Sequence, residues 1–239
     1  MKTEQVKEYY NKKLKNLDSY EQKRWFANDI QKAGYEMTLT SIERHVLNDK
    51  FNSCLELGPG HGTWTEELLR VNPDASYTLL DISSEMLDSV KKRFENKNNI
   101  KYIEGDFLKF ETENRYEYFF SSRAIEYIPE TKEVIEKIVN SLKDEGSGFI
   151  ITKTPKYLRA RLLGRKVAEF HSGQIDPNRL VKEFKRQNCK AELFPVTMSF
   201  PVFKSLKLNL FLYKIFGNIK LNFVSQFFSE SYCVKFKKQ

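Results

Sequence analysis

Cysteine is scarce and scattered: the three residues at 54, 189 and 233 show neither a pairing pattern nor the spacing of metal ligands. A disulfide framework is therefore excluded, no metal centre is expected, and a reducing cytoplasm is the simplest setting. Histidine is equally sparse, so chemistry that needs an imidazole base has only His45, His61 and His171 to draw on. The first twenty residues are polar and charged, which predicts no N-terminal secretion signal. Tandem repeats and low-complexity tracts are missing as well, so the 239 residues are expected to fold as one core with additions.

Acidic residues thin out along the chain. Residues 1–155 hold 23 Lys and Arg against 27 Asp and Glu, whereas 156–239 hold 17 against 5, so a net charge of −4 is followed by one of +12. A basic field of this kind attracts phosphate, an acidic glycan or an anionic membrane surface. Nucleic acid is a weaker expectation, because no recognisable nucleic-acid module accompanies the charge.

Glycine is uncommon, yet three of the ten stand at 58, 60 and 62, in Cys54-Leu55-Glu56-Leu57-Gly58-Pro59-Gly60-His61-Gly62-Thr63-Trp64. An apolar strand that runs into such a turn and then into a helix lets a ligand approach the backbone and points unpaired N–H groups at it. A second apolar strand, Tyr77 to Leu80, ends in Asp81, an acceptor suited to a ribose diol. A third, Ile100 to Glu104, is followed by Gly105-Asp106-Phe107. There Asp106 is placed to accept from an adenine amine, with Phe107 or Ile82 beside the ring. The spacing also permits a dinucleotide, but Glu56, two residues before the first glycine, would repel a pyrophosphate and would pair with an ammonium.

These residues resemble the class I S-adenosylmethionine-dependent methyltransferases over roughly residues 50 to 195. The run at 56–62 is similar to their first motif, Asp81 to the ribose-binding acid and Asp106 to the adenine-side acid, while Leu142-Lys143-Asp144-Glu145-Gly146-Ser147-Gly148 fits their later glycine turn more loosely. The resemblance implies S-adenosylmethionine as cofactor, held by Glu56, Gly58, Gly60, Gly62, Asp81, Ile82, Asp106 and Phe107. It also implies a Rossmann-like α/β sheet of seven mostly parallel strands in the order 3-2-1-4-5-7-6. After the fourth strand, Ser121-Ser122-Arg123-Ala124-Ile125-Glu126-Tyr127-Ile128-Pro129 lacks the Asn/Asp-Pro-Pro-aromatic tetrad of nucleobase-amine methyltransferases.

Periodicity agrees with that sheet: strands are predicted at 52–57, 76–81, 100–104, 116–121 and 148–153, and helices at 63–71, 84–95, 131–143 and 176–188. The resemblance implies that residues 190–195 and 231–237 are the sixth and seventh strands, an antiparallel hairpin edge. Residues 1–49 read as a helical cap, with pieces near 3–16, 20–32 and 37–49, and 50–239 as the cofactor-binding domain. A basic, lid-like insert is expected at 157–172. A second insert at 200–229 is apolar and lysine-bearing, with no acid before Glu230. Lysines recur too often there for a membrane span. The segment suits a surface helix on an anionic bilayer, the wall of a greasy pocket or a homodimer face.

For the acceptor side, His171 is the candidate base, with Arg123, Glu126 and Tyr127 expected to line the crevice and orient the substrate. The predicted reaction is methyl transfer to a hydroxyl or amine of a small or lipid-linked molecule. The alternatives are an RNA methyltransferase and a non-catalytic protein that keeps the cofactor fold to engage a membrane or a partner.

Overall fold

The computed structural model of the chain describes residues 3–13, 21–155, 173–200 and 205–239. Seven strands form one sheet in the order β3-β2-β1-β4-β5-β7-β6. They are β1 (Ser53–Leu57), β2 (Ser76–Asp81), β3 (Ile100–Glu104), β4 (Tyr116–Ser122), β5 (Leu142–Lys153), β6 (Cys189–Met198) and β7 (Ser229–Lys238). The first five run parallel, and β7 is antiparallel to both β5 and β6. Runs such as Cys54-Leu55 and Phe119-Phe120 are buried on both sides of the sheet, as parallel strands require. The looser glycine turn of the sequence becomes an irregular start to β5: the register with β4 jumps from Tyr116↔Leu142 to Tyr118↔Ser147, and Glu145 stands at φ +61°.

Helices α1 (Thr3–Lys13) and α2 (Asp29–His45) precede the sheet, with a short wide turn, Gln22–Phe26, between them. Then come α3 (Thr63–Val71), α4 (Ser84–Arg93), α5 (Thr131–Asn140), α6 (Pro177–Arg186), α7 (Leu206–Phe216) and α8 (Phe223–Phe228). Start signals are local: Asn28 caps α2, Ser83 caps α4, and Asp176 caps α6 ahead of Pro177 at its first turn. The separate helices expected at 20–32 and 37–49 are one continuous helix from Asp29. Gly34 does not break it, because Tyr35 beside it stacks on Trp64 of α3, with ring centroids 5.4 Å apart. Trp25 closes the cluster edge-on, 5.4 Å from Trp64. The edge strands β6 and β7 also run several residues further than the sequence pattern marked.

His45 is held neutral. Its ring stacks on Phe194 at 4.3 Å and near Phe149 at 6.1 Å, and burial, with Lys235 and Arg44 adding, lowers its pKa to about 4. The unfolded chain protonates this ring on acidification and the folded chain does not. The stability it contributes is present above pH 6.5 and is lost as pH falls toward 4. A His45→Phe protein should therefore show a shallower decline in melting temperature between pH 6.5 and 4 than the native chain; parallel declines would contradict this burial account.

Candidate functional site

The four central parallel strands end at one edge of the sheet, and the chain leaves each end through a turn that faces the same space. After β1, Gly58, Gly60 and Gly62 take φ of +70°, +58° and +83°, conformations that side-chain-bearing residues seldom adopt. Gly58 has a second reason to lack a side chain: a Cβ there would lie 2.5 Å from that of Ala124 in the turn after β4. Its N–H donates to the Leu80 carbonyl at 2.8 Å, tying the turn to β2. On the far side, His61 Nδ1 meets the Ser89 hydroxyl of α4, and Arg93 bridges the His61 carbonyl, Glu66 and Glu21.

The enclosed space measures about 870 Å³, and its walls include Leu57, Gly58, Gly60, Asp81, Ile82, Met86, Asp106 and Phe107. Asp81 accepts from the backbone N–H groups of Ser83, Gly60 and Ile82, while burial pushes its carboxyl up to about 6. Asp106 accepts from the Leu108 N–H at 2.9 Å. Phe107 is almost wholly buried and packs on Phe119 at the cavity wall. Glu56 stands one residue behind the wall. Burial, reinforced by the Asp81 charge, raises it to about 8 against the opposing effect of Thr65, and its Oε2 has no hydrogen-bond partner.

The N-terminal helix, expected only as part of a helical cap, forms the roof. Lys7 pairs with Glu104 at the end of β3, Asn11 accepts from Ser83 after β2, and Tyr10 donates to Tyr127 after β4 at 2.7 Å. Glu4, Val6 and Tyr10 thereby line the cavity, together with Arg24 from the turn before α2. None of these carries a motif. The available signal was the aromatic and basic content of 1–26.

Arg123 and Tyr127 line the cavity as expected sites of acceptor contact, and Arg123 does so from a left-handed φ of +67°. Glu126 requires a correction: it does not line the crevice. Its fully buried carboxylate accepts from Arg123 Nε at 2.9 and 3.1 Å and from the Lys153 N–H at 3.0 Å, so it positions the arginine and the end of β5. A backbone turn of three residues points its side chain inward beneath Arg123, a direction the sequence pattern cannot give. His171 and the insert at 157–172 lie outside the described residues. Among the described residues, no cluster of three or more His, Cys, Asp or Glu could hold a metal ion.

The residues present fit S-adenosylmethionine. The cavity has open backbone at the glycine turn, an acceptor carboxylate at Asp81, a second at Asp106 and an apolar lining between them. Glu56, next in sequence to the cavity wall at Leu57, is a buried carboxyl with an oxygen left over, and an ammonium brought beside it would favour its ionised form.

Residues 54–146 match the family model described as a methyltransferase domain. Among curated proteins, the chain is 30% identical over 114 residues to malonyl-[acyl-carrier protein] O-methyltransferase 2 of Ilyobacter polytropus, covering 44% of each chain. It is 29% identical over 139 residues to phosphoethanolamine N-methyltransferase 2 of Caenorhabditis elegans, covering 56% of this chain and 31% of that one. The chain spans about half the length of the first of these curated relatives. In fold it is similar to the N-methyltransferase NodS of Bradyrhizobium japonicum solved with S-adenosyl-L-homocysteine, with a TM-score of 0.64, 13% identity and 98% of both chains covered.

Burial of Glu56 has a measurable cost in the unliganded protein. Between its ordinary carboxylate range and about 8, the folded chain holds a proton that the unfolded chain has lost, so stability falls as pH rises through that interval. Chemical denaturation of native and Glu56→Gln proteins should give a stability difference that grows in the variant's favour from pH 5 to 8; a constant difference would contradict the assignment. In its glycine turn, the acids at successive strand ends, its sheet order and the domain matched over residues 54–146, the chain is similar to the class I S-adenosylmethionine-dependent methyltransferases.

Proposed function

We propose that the chain transfers a methyl group to an oxygen or nitrogen of a small or carrier-linked acceptor that bears an anionic group. The observation that carries this reading is that Arg24, Arg123 and Tyr127 all line the cavity. Two arginines and a phenol on the walls of one cavity can together grip a carboxylate or phosphate. The malonyl and phosphoethanolamine groups in the names of the relatives each carry such an acid, which supports the reading.

Bound S-adenosylmethionine supplies the electrophilic methyl. The protein's part is alignment and the exclusion of water, which can account for much of the rate without a proton-transfer residue. Asp81 and the glycine turn hold the cofactor half, and the roof helix with Tyr10 covers the acceptor half. Tyr127 is not the base: burial raises its pKa, so at neutral pH the phenol stays protonated and serves as a donor. A carboxylate acceptor needs no base, whereas a hydroxyl benefits from one, and His171 is the residue proposed for that role.

Release of S-adenosylhomocysteine measured with malonyl thioesters, phosphorylated amines and neutral alcohols should show turnover confined to the anionic acceptors. Arg24→Gln should raise the acceptor KM about tenfold or more, consistent with the loss of a charge-assisted contact, and leave cofactor affinity unchanged. Preference for a neutral acceptor, or an unaltered KM in Arg24→Gln, would overturn the proposal. His171→Ala tests the acceptor atom: a lowered kcat indicates a hydroxyl, and full turnover a carboxylate or an amine.

A further inference from the structure

Outside the residues that line the cofactor cavity, α7 and α8 present an exposed face that is both apolar and basic. One side of α7 is committed to the fold: Leu212 and Tyr213 are buried with Ala33 and Met37 of α2 and Met198 of β6. The opposite side carries Lys207, Phe211, Lys214 and Ile215, spaced i, i+4, i+7 and i+8, and all four are exposed. The following turn and the start of α8 add Ile219, Phe223 and Val224, of which Phe223 is 89% exposed. An apolar face of this kind is an interaction site by default.

The projection of these side chains is built. Asn222 and Ser225 form a reciprocal cap, each side chain bonding to the other's backbone N–H at 2.9 Å. The Leu221 N–H donates to the Leu193 carbonyl of β6 at 2.8 Å, which anchors the turn. Folding therefore holds Phe223 and Val224 out in water, at a cost that only an occupant recovers.

We infer that this face lies on an anionic bilayer. Phe211, Ile215, Ile219, Phe223 and Val224 reach the acyl boundary while Lys207 and Lys214 stay among the headgroups. Charge complementarity selects this occupant. No acidic residue occurs from 201 to 229, so a two-fold pairing of this face with a second copy would set lysines beside lysines without a counter-charge. Lys220 already pairs with Glu192 at 2.5 Å and is left out of the count. An acidic protein would satisfy the lysines, but a phenyl ring as exposed as Phe223 suits insertion between lipids. Among the described residues, no helix is long and apolar enough to cross a membrane, so the contact is with one surface. The inference is independent of which acceptor the cavity takes.

Flotation of the full chain with phosphatidylcholine vesicles, with and without phosphatidylglycerol, tests it. The chain should float only with the anionic vesicles, and should be released by high salt. Lys207→Gln and Lys214→Gln should each weaken binding about fivefold. Phe223→Ser, at a position exposed enough to spare the fold, should weaken it further while methyl transfer to a soluble acceptor is retained. A Phe223→Trp protein should show blue-shifted emission on anionic vesicles. Failure to float, equal flotation with neutral vesicles, or a solution dimer that Phe223→Ser dissociates would each overturn the inference.

Discussion

The structure turns on Asp81, a carboxylate at the end of a central strand that is taken out of water and held there by backbone alone. Three N–H groups, from Gly60, Ile82 and Ser83, converge on it. They bind the glycine turn after β1 to the turn after β2, so the same contact that shapes the cavity wall also fixes where an acceptor oxygen faces inward. Burial works against the charge, raising the carboxyl to about 6. A site poised in this way gains when a ligand's hydroxyl groups donate to it, because such bonds favour the ionised form. The cost of folding around the acid and the affinity of the cavity are thus two readings of one arrangement.

Around that contact, the fold assembles a site from pieces that do little alone. Gly58 must pass within a side chain's breadth of Ala124 and must also adopt a left-handed φ, so both demands fall on one residue. Arg123 bears a positive φ without the excuse of glycine, and the buried Glu126 beneath it holds the guanidinium in place. A strained arginine whose support is a fully buried carboxylate is an expensive feature for a surface loop. It is economical where a charged group must face a cavity at a fixed angle.

Much of the fold was legible because its signals are local and periodic. The parallel strands announce themselves as short apolar runs, the turn after β1 by its three glycines, and the strand ends by Asp81 and Asp106. What stayed hidden depends on tertiary contact. The pieces expected at 20–32 and 37–49 are joined in one helix from Asp29 to His45, whose Tyr35 stacks on Trp64. Glu126 and Arg123 are three residues apart in sequence, yet only the turn between them shows that one supports and the other faces the cavity. The roof helix carries no motif, and its role follows from three separate bonds to residues 72, 97 and 117 positions away, at or just after strand ends. The segment 206–228 is apolar nearly all round as sequence, and the choice between packing and exposure was made by α2 and β6, which cover one side of α7.

Calorimetric titration with S-adenosylhomocysteine, native chain against Asp81→Asn, is the most direct test of the claim that this cavity is the cofactor site with Asp81 on the ribose. The amide keeps an acceptor for the backbone N–H groups and removes a charge whose burial is unfavourable, so the variant should fold at least as stably as the native protein at pH 7. Its affinity should nevertheless drop by about 1–3 kcal/mol, the cost of losing hydrogen bonds to a charged acceptor. A folded variant that binds as tightly as the native chain would contradict the account.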